Sequence, residues 1–316
     1  MTKLILIAVV LVVVGSIVCG AAAASMQFDL KKLDTGKYET NTCSVNESFR
    51  SISVAAADEK LLFRPSEDGK CKVVCFEAEH TKHTVSVTGE TLTIKTEDER
   101  NLIEHFGIYN RAQEITVYLP ERAYADLRIE TDTGDVDLPA DFSFDRIQIK
   151  ADTADVCCLA SAKRGLEIAV TTGDVSVAGV AAGSMDLTTT TGKIRAESVV
   201  CEGAAYIRVQ TGKTRLQDLN CGSFTSEGTT GDITLDHVIA ADVLSITRDT
   251  GDVEFQACDA ASVFVQTTTG DVTGTLLSEK VFITETDTGK VEVPKTVAGG
   301  RCEISTDTGD IRIGIR

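Results

Sequence analysis

Hydrophobic and polar residues alternate along most of the chain, and the same short corner interrupts the alternation at regular intervals. From Leu127 to Thr133 every second residue is apolar or threonine, and after Gly134 the alternation resumes with Val136 and Leu138. A period of two places one set of side chains on one face of a β strand. The pattern therefore predicts strand segments on both sides of each glycine, with inward residues that are mostly β-branched.

The corner is Thr-Gly-Asp or a close variant, and it occurs ten times between Thr133 and Thr308. Successive corners are 19 or 20 residues apart, which is typical of a solenoid whose units stack only on their neighbours. Glycine suits a sharp turn because it accepts a positive φ. The corner residues are Gly134, Ala154, Gly173, Gly192, Gly212, Gly231, Gly251, Gly270, Gly289 and Gly309.

These repeats predict an all-β fold, a parallel β-solenoid of about ten rungs spaced roughly 4.8 Å apart. A threonine precedes every corner residue. The alternation places its side chain inward, where we expect a hydrogen-bonded column of hydroxyl groups. Because Ala154 replaces one corner glycine, we also expect alanine to be tolerated better than valine at the other corners.

The sequence pattern of residues 26–125 predicts a less regular β region, which caps the N-terminal edge of the solenoid (residues 126–316). Residues 52–63 fit a degenerate first rung, with Ala57-Asp58-Glu59 in place of the corner. Residues 72–76 and 114–119 read as strands, residues 83–96 as a hairpin, and residues 101–109 as a short helix or lid. At the other end no cap is expected, so Arg312 and Arg316 either blunt the last edge or border a contact surface.

Residues 1–25 form a third segment, which is a membrane-targeting element. Residues 4–24 carry no charge and would span roughly 30 Å as one hydrophobic helix, enough to cross a bilayer. This favours a single-pass membrane protein with an extracytoplasmic domain. The alternative is a signal peptide cleaved after the alanines at 22–24, which gives a secreted protein. Lipidation at Cys19 is disfavoured because Val18 takes the place of a small residue.

The chain is strongly acidic, with 48 acidic and 31 basic residues among 316 and a net charge of -17. This charge argues against nucleic acid and anionic lipid headgroups as partners, since both are polyanions. Cations, basic proteins and neutral glycans remain compatible with it.

The ten cysteines fit reduced core residues better than a disulfide framework. Cys157 and Cys158 are adjacent and therefore point to opposite strand faces. Cys71 and Cys75 share one face about 13 Å apart, too far to bridge or to share a metal.

The corners and two upstream segments together resemble the bacterial putative-adhesin family, a β-strand-repeat domain of unknown function. The upstream segments are residues 63–75 (FRPSEDGKCKVVC) and residues 115–120 (ITVYLP). The resemblance covers roughly residues 40–316 and implies a β-solenoid on a bacterial cell envelope. It brings no catalytic residues. Ala154 and the lysines at three corners depart from the pattern, and both changes are compatible with the fold.

Three functions follow as hypotheses, and the first is favoured: a non-catalytic surface module for adhesion or scaffolding that binds an extracellular protein or glycan. A polysaccharide-active enzyme is disfavoured because rungs that vary by one residue leave no loops for a cleft. We therefore expect no catalytic residue, no cofactor and no enzymatic activity.

The third hypothesis is Ca²⁺ binding by the column of corner aspartates. The ligands would be the corner aspartates and the aspartates that lie three positions earlier in some rungs. Lysine replaces the corner aspartate at three corners and interrupts the column. We expect instead that each aspartate accepts a hydrogen bond from its own turn, so that the chain has no metal site. The corner aspartates are Asp135, Asp155, Asp174, Asp232, Asp252, Asp271 and Asp310; the lysines are Lys193, Lys213 and Lys290; the earlier aspartates are Asp132, Asp152, Asp249, Asp287 and Asp307.

Overall fold

A computed structural model describes residues 12–17, 20, 37–79, 81–98 and 112–316. Residues 12–17 and 20 are helical, and the described chain contains 24 β strands joined by turns and short loops. The strands before the first corner are β1 (Tyr38–Val45), β2 (Ser51–Ala56), β3 (Lys60–Pro65), β4 (Cys71–Ala78), β5 (Thr81–Thr88), β6 (Thr91–Asp98), β7 (Glu114–Leu119) and β8 (Ala123–Thr131).

The remaining strands make the repeat region. They are β9 (Val136–Leu138), β10 (Ser143–Thr153), β11 (Val156–Cys158), β12 (Ser161–Thr172), β13 (Val175–Ala178), β14 (Ala181–Ala182), β15 (Met185–Thr191), β16 (Ile194–Thr211), β17 (Thr214–Thr230), β18 (Ile233–Thr250), β19 (Val253–Thr269), β20 (Val272–Leu276), β21 (Lys280–Thr288), β22 (Val291–Glu292), β23 (Gly300–Thr308) and β24 (Ile311–Ile315).

From β8 to β20 each rung pairs in parallel with the next rung of the chain, which confirms the predicted β-solenoid. The register aligns corner on corner, as in Thr211 with Thr230 and Thr230 with Thr250. Apolar residues at alternate positions fill one continuous core along the stack; Ile207 and Leu216, for example, are fully buried. In this part of the stack, two residues that lie one above the other are therefore one rung period, 19 or 20 residues, apart in the sequence.

The threonine before each corner is exposed in all ten repeats, so the predicted inward column was wrong. The alternation breaks because the chain bends there: Ala151 pairs with Val170 and Thr153 with Thr172, while residue 152 is left out of the register. The inward hydroxyls belong instead to threonines three residues before the corner. Thr189 Oγ1, for example, donates to the Gly173 carbonyl oxygen at 3.1 Å.

A second bend, six residues after the corner, lacks a uniform sequence signature. In five consecutive rungs its residue has a left-handed backbone with φ between 51° and 65°. Only the first of these residues is a glycine, so the sequence pattern did not reveal the bend. The residues are Gly179, Ser198, Asp218, His237 and Ala257.

At the N-terminal end the spatial order differs from the chain order. The degenerate rung β2–β3 lies between the β6–β7 rung and the β8–β9 rung, with parallel pairing on both sides. Antiparallel strands β5, β4 and β1 then cover the outer edge. The predicted strands, the hairpin and the degenerate rung are therefore present, whereas the predicted helix or lid at 101–109 lies outside the described residues. The domain boundary near residue 125 stays a prediction.

The C-terminal end shows the same exchange of order. Strand β23 pairs with both β19 and β21, so the last rung of the chain is inserted between the Gly270 and Gly289 rungs. The edge is consequently formed by β21 and β22, where Ile283 is 49% exposed. Arg312 and Arg316 do not form this edge, contrary to one of the sequence-based interpretations.

The predicted location in the membrane is contradicted. A helix needs about 20 consecutive apolar residues to cross a bilayer. Within the described part of the chain, no helix has the length and apolar character for a membrane span. The single-pass assignment is therefore wrong on this finding. The rest of residues 4–24, including Cys19, lies outside the described residues, and the secreted alternative is compatible.

Candidate functional site

The corner edge is the side of the solenoid along which the ten corners stack. The corner glycines allow the backbones of neighbouring rungs to approach closely there. Seven of the nine corner glycines have positive φ, for example 129° at Gly231. A Cβ on Gly231 would lie 1.9 Å from the carbonyl oxygen of Gly212 in the neighbouring rung. No side chain fits in that gap, so the corner backbones stack directly on one another.

The corner aspartates form a hydrogen-bonded ladder between rungs. Oδ1 of each accepts the backbone N–H of the Asp or Lys that follows the corner residue in the adjacent rung; Asp155 Oδ1, for example, accepts from Asp174 N–H at 2.8 Å. The acceptor is therefore satisfied by the neighbouring rung and not by its own turn, which corrects the expected geometry. All seven aspartates take part, namely Asp135, Asp155, Asp174, Asp232, Asp252, Asp271 and Asp310.

Lysines interleave with this ladder and offset its charge. Lys213 Nζ lies 2.9 Å from Asp232 Oδ2, and this hydrogen bond holds the pKa of Asp232 below its usual range. Lys193 Nζ lies 3.9 Å from Asp174 Oδ2. The described corner carboxylates do not converge as a group of three ligands, since the single such cluster found in the described chain lies elsewhere. The column is therefore built as a structural ladder.

Two exposed side chains precede each corner, which gives the edge a repeating polar surface. The residue that follows the corner is exposed in seven of the ten rungs and half-buried in the other three. The residue two before the corner is exposed in every rung and includes Asp132, Asp152, Asp249, Asp287 and Asp307. A shallow groove of about 420 Å³ runs along the first rungs, lined by Asp58, Lys60, Gln113 and the corners from Thr133 to Gly173. This geometry suits a long, flat contact.

A second site lies at the N-terminal end of the corner edge, where His83 is held between two glutamates. His83 Nδ1 lies 2.5 Å from Glu77 Oε2, and His83 Nε2 lies 3.1 Å from Glu59 Oε1. The three side chains are at most 2% exposed. Glu59 comes from the degenerate corner between β2 and β3, Glu77 from β4 and His83 from β5. The cap thus brings three separate elements together.

Further polar groups complete this cluster. Glu59 Oε2 accepts the Ala57 N–H at 2.8 Å and the Thr96 hydroxyl at 3.1 Å. Lys82 Nζ lies 3.4 Å from Glu77 Oε1, and the Asn41 amide donates to the same oxygen. Burial raises the pKa of Glu59, but contact with His83 and the Ala57 hydrogen bond outweigh it and the pKa is lowered. Burial lowers the pKa of His83, and the two glutamates reverse this to a net rise.

Cys75 adds a thiol to the cluster. Ligand atoms of Cys75, Glu77 and His83 all lie within 4.8 Å of one another. Burial, followed by the charge of Glu77, raises the pKa of Cys75 to about 12. Cys71 is buried on the same strand but is not part of this group. All nine described cysteines are free, and Cys157 is exposed while Cys158 is buried, as predicted.

Sequence reasoning missed this cluster because its members come from parts of the chain without the repeat. The alternation of Cys75 and Glu77 on β4 was a usable signal, since residues i and i+2 of a strand share a face. The contribution of Glu59 was hidden, because it replaces a corner residue in a rung that is out of chain order.

Comparison with known proteins agrees with this architecture. The family model described as Toastrack DUF4097 matches residues 49–314. No curated protein matches the chain at a significant level. The family match confirms the resemblance drawn from the corners and the two upstream segments.

Solved structures of similar shape are distant in sequence. A putative adhesin from Parabacteroides merdae is 13% identical, with a TM-score of 0.52, and the match covers 78% of this chain and 98% of that one. A putative adhesin from Parabacteroides distasonis is 13% identical, with a TM-score of 0.48 and coverage of 88% and 98%. At this identity the first likeness shows the fold alone.

Proposed function

Because this chain belongs to the Toastrack DUF4097 family, we propose that it is a non-catalytic, adhesin-like binding or scaffolding module of the cell envelope. The observation that supports the proposal is the corner edge. An exposed threonine repeats at every rung and carboxylates occur at most of them, with rungs about 4.8 Å apart on a backbone that the Asp ladder holds in register.

Such an edge suits a ligand that itself repeats, either an extended protein segment or a neutral glycan. Each rung would contribute a weak polar contact, and several rungs together would give useful affinity through multivalency. The net charge of -17 favours neutral or basic ligands. Catalysis is not needed to explain the corner aspartates of this edge, because each of them accepts a hydrogen bond in the ladder.

The proposal is tested with the full chain on arrays of envelope glycans and on immobilised envelope polymers. One variant carries Thr211→Lys, Thr230→Lys and Thr250→Lys, which place long charged side chains along the edge. A matched control carries Asn220→Lys, Ala241→Lys and Gln256→Lys, three exposed positions away from the corner. We expect the corner variant to lose binding to a long ligand by at least tenfold and the control to retain it. Equal binding by the two variants, or no retained ligand, contradicts the proposal.

A further inference from the structure

The cluster around His83 combines three kinds of metal-ligating group in a buried space. A thiol, a carboxylate and an imidazole, from Cys75, Glu77 and His83, have ligand atoms within 4.8 Å of one another. Sulfur and imidazole nitrogen favour Zn²⁺ and related transition metals, whereas Ca²⁺ and Mg²⁺ favour sites made of oxygen alone. The donor set therefore selects the class of ion.

The charges of the cluster also suit a divalent cation. Glu59 and Glu77 place two carboxylates in the interior, with side chains 0% and 2% exposed. Buried charges need close compensation. With Cys75 bound as a thiolate, the two carboxylates and the thiolate carry three negative charges beside a neutral imidazole. A doubly charged ion would balance two of them, and the Lys82 ammonium, 3.4 Å from Glu77 Oε1, would offset the third. Lys82, which also contacts Glu77, is partly exposed and pairs with Glu39 as well.

Two buried atoms in the cluster lack a hydrogen-bond partner. They are Glu59 Oε1 and His83 Nε2, which face each other at 3.1 Å without the alignment of a hydrogen bond. In metal sites a ligating histidine usually donates its other ring N–H to a carboxylate, which fixes the orientation of the ring. With an ion on the Glu77 side of the imidazole, at Nδ1, the Nε2 proton would point toward Glu59. A small rotation of the ring then satisfies both atoms.

We propose that Cys75, Glu77 and His83 form a binding site for a divalent transition metal ion of the Zn²⁺ type, with Glu59 orienting the imidazole. The ion would fasten β4 and β5 of the cap to the degenerate corner between β2 and β3. The site lies beside the stacked corners, so it would stabilise the N-terminal end of the solenoid and not act on a ligand.

Cobalt(II) serves as the test probe because it occupies zinc sites and gives a charge-transfer absorption band when a thiolate is bound. The purified full-length chain is stripped with a chelator and titrated with Co²⁺, and Zn²⁺ is then added as a competitor. Three single variants are compared, Cys75→Ser, His83→Gln and Glu59→Gln. Cys71→Ser is the matched control, since Cys71 is buried on the same strand outside the cluster.

We expect one Co²⁺ per chain, a thiolate band in the wild type and in Cys71→Ser, and loss of the band on adding Zn²⁺. Cys75→Ser should lack the band, His83→Gln should bind at least 100-fold more weakly, and Glu59→Gln should bind 10- to 100-fold more weakly. A wild-type chain without the band overturns the proposal, whatever the folding of the variants. A band that persists in Cys75→Ser assigns the metal to another thiol and also overturns it.

Discussion

At the scale of single residues, the corner glycines are required by close backbone approach as well as by backbone conformation. The Cβ position on Gly231 meets the Gly212 carbonyl oxygen at 1.9 Å, and its φ is 129°. Ala154 is compatible with a corner because it does not have positive φ. The expectation that alanine would be mild at the other corners therefore does not follow from Ala154.

We expect Gly231→Ala to destabilise the protein by more than about 2 kcal/mol, nearly as much as Gly231→Val, because the first carbon already clashes. Gly179→Ala is the control, since Gly179 also has positive φ (65°) but nothing lies within 4 Å of its Cβ position. Its cost should stay near 1 kcal/mol. Urea denaturation midpoints measure both, and equal shifts for the two alanine variants would contradict the close-approach argument.

Arg248 is a second residue whose surroundings decide its contribution to the stability of the fold. It is 1% exposed in the solenoid core, and its guanidinium has only neutral partners, including Ser226 Oγ at 2.9 Å and Thr214 Oγ1 at 3.3 Å. Its Nε has no partner. Burial lowers the pKa of Arg248 to about 10, so the unfolded chain binds the proton more tightly than the folded one. The resulting penalty is present at neutral pH and fades only as the pH rises above about 10.

We therefore expect Arg248→Met to raise stability by about 1–4 kcal/mol, as replacement of a buried charge by an apolar side chain often does. Arg215→Met, at an exposed position, should change stability by less than about 0.5 kcal/mol. Thermal and urea unfolding at pH 7 measure the difference. A large loss of stability in Arg248→Met would show that its polar contacts outweigh the cost of burial.

At the scale of elements, the Asp ladder links rungs in addition to the parallel strand pairing. Asp252 Oδ1 accepts the backbone N–H of Asp271 at 2.9 Å, while its own N–H donates to Asp232 Oδ1 at 3.3 Å. Removing the carboxylate leaves the Asp271 N–H to water, whereas an asparagine keeps an oxygen acceptor.

We expect Asp252→Ala to cost about 1 kcal/mol and Asp252→Asn less than half of that, since a net hydrogen bond contributes about 1 kcal/mol. Asp249→Ala is the matched control: this aspartate is exposed beside the same corner and takes no part in the ladder. Hydrogen exchange at the Asp271 amide should accelerate in Asp252→Ala alone. Unchanged protection of that amide would show that the ladder bond does not persist in solution.

At the scale of the whole molecule, an acidic solenoid should respond to ionic strength more than to a particular cation. With a net charge of -17, self-repulsion is relieved by any salt. The corner carboxylates are occupied by the ladder and do not gather in threes in the described chain. Calcium should therefore act as a general electrolyte at this edge.

We expect about 1 mM Ca²⁺ to shift the melting temperature no more than NaCl of matched ionic strength. A site with a Kd of about 10 µM would instead add roughly 2.7 kcal/mol, which a thermal melt detects easily. A Ca²⁺-specific rise that disappears in the double variant Asp252→Asn, Asp271→Asn would make the column a metal site. Stabilisation by Zn²⁺ would not make the column a metal site, because the proposed Zn²⁺ site is the His83 cluster.

The sequence by itself determined the fold class, the rung length and the place of the first bend. These features are local and repeat in every rung, so each copy of the corner predicts the same stacked geometry. The sequence did not determine which threonine faces inward, because the bend starts two residues before the glycine and breaks the alternation. The second bend was equally hidden, since serine, aspartate, histidine and alanine all occupy it.

Only the tertiary structure decided the order of the rungs at the two ends and the assembly of the His83 cluster. Near-identical rungs present near-identical edges, so no local signal says that β23 lies between β19 and β21 or that β2 lies between β6 and β8. That choice depends on pairing between distant segments. The same long-range pairing brings Glu59, Glu77 and His83 into contact, because an exchanged rung and an antiparallel cap meet at one corner.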